Sequence, residues 1–122
     1  MLRVIIAGGR NFHNTSWSFD KMDAILKNKF ADGITIVSGC ANGADKVGEA
    51  YAVSRELNLA KYPADWDKYG KSAGYKRNTQ MAENADALIA FWDGQSKGTK
   101  HMIDIATAKG LQVRIVNYNI KG

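Results

Sequence analysis

The sequence predicts an α/β fold, a doubly wound parallel sheet of five strands with helices on both faces. Three observations carry that prediction. Short apolar runs alternate with longer segments of helical spacing, the alternation that builds a parallel sheet. Three of those runs end in glycine-rich exits, at Gly8-Gly9, Ser38-Gly39 through Gly43, and Gly94 through Gly98. The chain has 122 residues, 45% hydrophobic and 24% charged, which is the size and composition of one globular domain.

The elements follow in order. Residues 2–7 form an apolar run broken only by Arg3, a strand buried on both faces and central in the sheet. A polar stretch leads to Thr15 or Ser16, either of which can cap a helix over 17–30, with Phe19, Met22, Leu26 and Phe30 along one face and Trp17 on its flank. Ala31-Asp32-Gly33 ends it, and residues 34–37 are the second strand. The second helix opens at Asn42 or Gly43 and runs to Leu57. A short third strand, 59–62, stops at Pro63, the one proline. Residues 64–71 read as a loop, and a third helix spans 72–84. The fourth strand is 87–92, the fourth helix 99–109 closed by Gly110, and the last strand 112–116, followed by a polar tail.

Right-handed crossovers then allow two strand orders. In the Rossmann-like order 3-2-1-4-5, strands 1 and 4 are neighbours whose connections leave toward opposite faces, and a crevice opens beyond their carboxyl ends. The order 2-1-3-4-5 would leave the loop after strand 4 off centre. Because the loops poorest in side chains follow strands 1, 2 and 4, the first order is expected, with all three loops facing one crevice.

Composition excludes several classes. No apolar run reaches the roughly 20 residues of a membrane span, and the N-terminus lacks a signal-peptide layout, so a cytoplasmic protein without membrane partners is expected. The single cysteine, Cys40, forms no internal disulfide and reads as a small loop residue rather than a nucleophile. There is no GxxxxGK[ST] run and no GxGxxG. His13 and His101 lack partners at metal spacing, and nothing in the spacing of Asp65, Asp67 and Asp93 requires magnesium, so neither a metal nor a cofactor is expected. The net charge of +5 suits phosphate-bearing partners without choosing between small nucleotides and nucleic acid.

The expected site is the crevice. Gly8, Gly9, Ser38, Gly39, Ala41, Gly43, Gly94 and Gly98 bare the backbone, and helix openings behind such loops present amides and a positive dipole end to an anion. Arg10 can take a phosphate bidentately, and Arg77 with Asn78 lies near the same sheet edge. Ser96 and Thr99 with Gly98 make a second cradle, Thr99 adding a hydroxyl, and Asp93 precedes it. Asp45 serves either as a first-turn carboxylate favoured by the dipole or as an acceptor for ribose hydroxyls. Trp66 in its polar loop reads as a lid or an interface, Trp92 as packing at the core edge.

These residues also carry a resemblance. Gly8-Gly9-Arg10, Val37-Ser38-Gly39-Cys40-Ala41-Asn42-Gly43-Ala44-Asp45, Ala64-Asp65-Trp66 with Gly70-Lys71 and Ala73-Gly74, Arg77-Asn78 with Met81, and Ala90-Phe91-Trp92-Asp93-Gly94-Gln95-Ser96-Lys97-Gly98-Thr99 together resemble the SLOG superfamily of LOG and DprA/Smf proteins. The likeness is strongest to its small YspA-type branch related to YpsA. The resemblance implies a Rossmann-like fold, a nucleotide or nucleotide-derived ligand in the crevice, often a dimer, and a phage or bacterial setting. LOG-type hydrolases use an arginine in Arg-Lys-x-x-Met and a glutamate in Gly-Gly-x-Gly-Thr-x-x-Glu. Arg77 and Met81 match the first, but Asn78 replaces its lysine, and Met102 stands where the glutamate belongs. A thioether cannot transfer a proton. That departure counts against LOG-like hydrolysis unless Asp45, Asp93 or Asp104 takes over, and the expected function is sensing or sequestering a nucleotide. The Val-Ser-Gly-x-Ala-x-Gly-x-Asp match points toward DprA-like single-stranded DNA binding, but no string of basic and aromatic residues is seen along one strand or helix, so nucleic acid is not favoured.

Overall fold

Alternate residues of each strand point to opposite faces of the sheet, and here both sets are apolar, so the sheet must be covered twice. In a computed structural model of the chain, described for residues 1–10, 12 and 15–118, the strands are β1 (Leu2–Gly8), β2 (Ile34–Ser38), β3 (Asn58–Lys61), β4 (Ala87–Trp92) and β5 (Gln112–Asn117). They pair in parallel in the order β3-β2-β1-β4-β5, the doubly wound topology that the sequence predicts.

Val4, Ile6, Ile34, Ile36, Ile89 and Phe91 face one helical layer, α1 (Thr15–Leu26) and α2 (Ala44–Ser54), through Met22, Leu26, Val47 and Tyr51. Ile5, Ala7, Val37, Leu88 and Ala90 face the other, α4 (Ala73–Glu83) and α5 (Lys97–Ala108), through Met81, Met102, Ile103 and Ala106. Each large apolar side chain buried in these layers contributes about 1.5–3 kcal/mol. Gly48 lets α2 lie close on the sheet, since a Cβ there would sit 2.7 Å from Cβ of Ile6. At its far side α2 is tied to α1 by Asp23, which accepts from the Tyr51 hydroxyl at 2.7 Å and from Arg55 at 3.0 and 2.7 Å.

Several boundaries differ from the sequence reading. The first helix stops at Leu26, and Phe30–Asp32 is a separate tight turn before Gly33, whose φ of 84° closes it. The second stops at Ser54, because Glu56 takes a positive φ of 56°. Residues 64–71 are not simply a loop. Asp65 accepts from the Lys68 amide at 3.1 Å and so caps a single helical turn, α3 (Trp66–Tyr69), which a tight turn at Gly70–Ser72 joins to α4. Such a short turn shows no apolar period, so only its cap residue announces it. The fourth helix begins two residues earlier than expected, at Lys97, behind the cap residue Ser96. His13 and the end of the polar tail lie outside the described residues. No helix among the described residues is long and apolar enough to cross a membrane.

Candidate functional site

The junctions after β1, β2 and β4 meet beyond the sheet in a cleft of about 500 Å³, beside a second compartment of about 370 Å³. The first junction is stapled to α2: the Gly9 carbonyl accepts from the Phe12 amide at 3.2 Å and the Ala44 amide at 3.1 Å. A Cβ at Gly43 would overlap that same carbonyl, and Gly43 has a φ of 78°, so only glycine fits. At Gly8 a Cβ would overlap the Phe91 carbonyl across the β1–β4 seam.

The second junction is tied to itself. Ser38 is fully buried; its hydroxyl donates to Glu49 at 2.7 Å and accepts from the Cys40 amide at 3.1 Å, while Cys40 takes a φ of 65°. Asp45 accepts from the Ala41 amide at 3.1 Å. Only 7% exposed, its carboxyl is pushed up to about 6 by burial, against the opposing pull of the Ala41 amide and the Arg77 charge. Arg77 spans the two compartments: Nη1 donates to the Gly39 carbonyl and Nε donates to Asn78 Oδ1 at 3.0 Å. Burial lowers its pKa, with Asp45 pulling the other way. Arginine remains a cation under any such shift. Asn78, on the inner face of α4, also meets His101 Nδ1 of α5 through Nδ2, at 3.2 Å.

The third junction is open. Asp93 Oδ1 accepts from the Gln95 and Ser96 amides, both at 2.8 Å, bonds that hold its carboxyl below the usual carboxylate range. The Ser96 hydroxyl accepts from the Thr99 amide at 3.4 Å and lies 3.0 Å from the Thr99 hydroxyl. That leaves Lys97 and Gly98 as the first-turn amides of α5 without a capping side chain among the described residues. A Cβ at Gly98 or Gly94 would meet nothing within 4 Å.

Of the residues expected from sequence, Gly8, Gly9, Arg10, Ala41, Asp45, Trp66, Arg77, Asn78, Asp93, Ser96, Gly98 and Thr99 line the main cleft, and Gly39 lines the second compartment. Ser38, Gly43 and Gly94 line neither. Ser38 is committed to Glu49, Gly43 is covered by the β1 exit, and the neighbouring amides of Cys40, Ala41 and Ala44 donate within the protein. Arg10, Ala41, Trp66 and Arg77 are common to both compartments.

Besides Ala7, Met81 and Met102, sequence reasoning leaves Lys71, Gly74, Tyr75 and Tyr118 of the main cleft without a ligand role. Lys71 and Gly74 lie among the residues of the resemblance, without a role of their own. Tyr75 packs on His101, ring centroids 4.3 Å apart. Tyr118 arrives from the end of β5, its ring 4.5 Å from that of Phe12 and its hydroxyl against Gly9, where a Cβ would overlap it. Nothing in its local sequence signals the cleft. Met102, on the floor, is 1% exposed and brings no carboxylate, so Asp45 and Asp93 are the acidic groups of the main cleft. The arrangement offers two guanidinium groups and uncapped helix amides to an anion, with a carboxyl at Asp45 that exchanges its proton near neutrality.

A family model described as the YspA, cpYpsA-related SLOG family matches residues 2–69. The chain is 33% identical over 132 aligned positions to the Gene 61 protein of Mycobacterium phage D29, covering 99% of each. Among solved structures, DNA processing protein A from Streptococcus pneumoniae superposes with a TM-score of 0.76 at 18% identity, covering 98% of this chain. This chain spans 52% of that protein. DNA processing protein A from Helicobacter pylori, described for its single-stranded DNA binding mode, gives 0.67 at 19% identity over 98% of this chain and 67% of that one. At these identities the structural likeness is one of fold.

Proposed function

The chain belongs to the YspA, cpYpsA-related SLOG family, and from that membership together with the cleft we propose that it binds a nucleotide or nucleotide-derived ligand, as a sensor or a sequestering protein. The observation that carries this reading is the convergence of Arg10, Arg77 and the uncapped Gly98 amide of α5 on one cleft. The phosphate sits between the guanidinium groups and the uncapped Gly98 amide, where each charge-assisted hydrogen bond is worth about 1.5–3 kcal/mol. Asp45, beside Arg77, accepts from a ribose hydroxyl, and the half-exposed Trp66 stacks on the base. Calorimetry with AMP, ADP-ribose and NAD tests this. At least one binds, and Arg77→Ala weakens it without unfolding the chain; if none binds, the reading fails. Chromatography of the same mixtures checks for hydrolysis, which the missing glutamate at Met102 argues against.

One observation favours a second reading, single-stranded DNA. The basic and aromatic string that no single helix shows in the sequence is assembled across α3 and α4. Trp66, Tyr69 and Tyr75 are 50%, 39% and 50% exposed, and Lys68 and Lys76 lie 5.1 and 4.9 Å from the Tyr69 ring. Such a surface stacks bases at about 1–3 kcal/mol each. A gel shift with oligonucleotides whose affinity falls steeply with salt supports it. A cytoplasmic homodimer completes the proposal, checked by light scattering at micromolar concentration.

A further inference from the structure

We infer that His101 is a positioning residue for the cleft: as a neutral ring carrying its proton on Nε2, it locks the Asn78 amide in the orientation that fixes Arg77, and protonating the ring releases the arginine. The inference rests on the ligand-binding reading, since Arg77, like Arg10, is a cation shared by both compartments.

Arg77 Nε carries a hydrogen and has no acceptor function, so the Asn78 atom 3.0 Å away must be the carbonyl oxygen. The amide nitrogen of Asn78 therefore faces His101 Nδ1 at 3.2 Å, and because that nitrogen is a donor, Nδ1 must accept. An imidazolium donates from both nitrogens and cannot do this. If the ring gains a proton, Asn78 must either turn its oxygen to His101, placing its NH2 against the Arg77 donor, or break from His101 altogether. Asn78 is 7% exposed, so water does not readily replace the lost partner. Where the amide turns to satisfy the imidazolium, Arg77 keeps, among the described residues, its bond to the Gly39 carbonyl and the pull of Asp45.

The surroundings of His101 suit the neutral ring. From α4 it meets the Tyr75 ring and Asn78, with the Arg77 cation one residue beyond. From its own helix Asp104 favours the charged form, but Asp104 is held by Lys100 at 2.8 Å, and burial outweighs it, so the ring titrates below its ordinary range. The relay is intact at neutral pH and opens on acidification.

Nuclear magnetic resonance of the full chain tests this without a ligand. At pH 8 the His101 ring, assigned by its loss in His101→Gln, is expected as the Nε2–H tautomer, and the Arg77 Nε–H as a resolved, slowly exchanging resonance. Acidification is expected to shift and broaden that resonance with the midpoint of the His101 titration, and His101→Gln to abolish the step. In parallel, ADP-ribose, whose bridged diphosphate does not titrate in this range, is expected to lose about tenfold in affinity across the same step. An Nδ1–H tautomer at pH 8 overturns the inference, and so does an Arg77 resonance indifferent to the His101 titration. A step that survives in His101→Gln but vanishes in Asp45→Asn also overturns it, assigning the effect to Asp45. If Arg77 follows His101 while ADP-ribose binds at no pH, the relay stands and its use for that ligand fails.

Discussion

The junctions after β2 and after β4 both carry glycines, and the structure shows opposite reasons for them. Between β2 and α2 the glycines are small because other groups fill the space: a Cβ at Gly39 would lie 2.6 Å from Arg77 Nη1 and 2.8 Å from Asp45 Oδ2, and one at Gly43 would strike the β1 exit. Between β4 and α5 a Cβ at Gly94 or Gly98 would enter open space. The first junction is a piece of packed architecture that holds Arg77 and Asp45. The second is a surface left bare. Glycine-rich loops thus divide into those whose space is filled by neighbouring groups and those left open.

Substitutions sharpen that contrast. The largest effect is expected from Gly43→Ala, which combines a positive φ with a backbone overlap and should cost about 3 kcal/mol or more in a urea melt. A loss under about 1 kcal/mol would break the contrast.

Asp45→Asn comes next, with the opposite sign. A carboxyl raised to about 6 favours the folded state while protonated; that contribution is present at acid pH and lost as pH rises from the ordinary 3.8 through 6. At pH 7.5 the buried charge therefore costs stability on the order of 2 kcal/mol, and the asparagine, which still accepts from Ala41, relieves it. Paired thermal melts should show the variant more stable at pH 7.5 and the gain vanishing below pH 4. Equal gains at both values would mean that charge is not the cause.

Arg77→Ala is expected to weaken ADP-ribose binding by about 10- to 100-fold, and the exposed Arg10→Ala by less, both read by calorimetry. Gly98→Ala should have the smallest effect on stability, a gain of up to about 0.5 kcal/mol from helix propensity. Its new methyl group enters the cleft, so binding should fall severalfold. If binding is unchanged, the ligand does not approach the α5 amides.

Other differences follow the same division. α3 escapes a periodicity argument because four residues make one turn, yet its place decides that Trp66 stands at the mouth of both compartments. Asn78 is visible as a neighbour of Arg77, but its partner His101 lies 23 positions further on and meets it only when α4 and α5 pack together. Tyr118 gives no local signal at all, since it reaches Gly9 only because β5 pairs beside β4 and delivers it there.

The sequence alone determined the order of strands and helices, the sheet topology and the three bare junctions, because apolar period, glycine placement and crossover handedness act over a few residues and leave few folds compatible with them. Tertiary structure decided which glycines are filled and which are open, that Ser38 is a buried strut, that Asp45 holds its proton to near neutrality, and that His101 stands behind Arg77. Those properties depend on distances between groups remote in the chain, and close packing settles such distances only when the whole fold is in place.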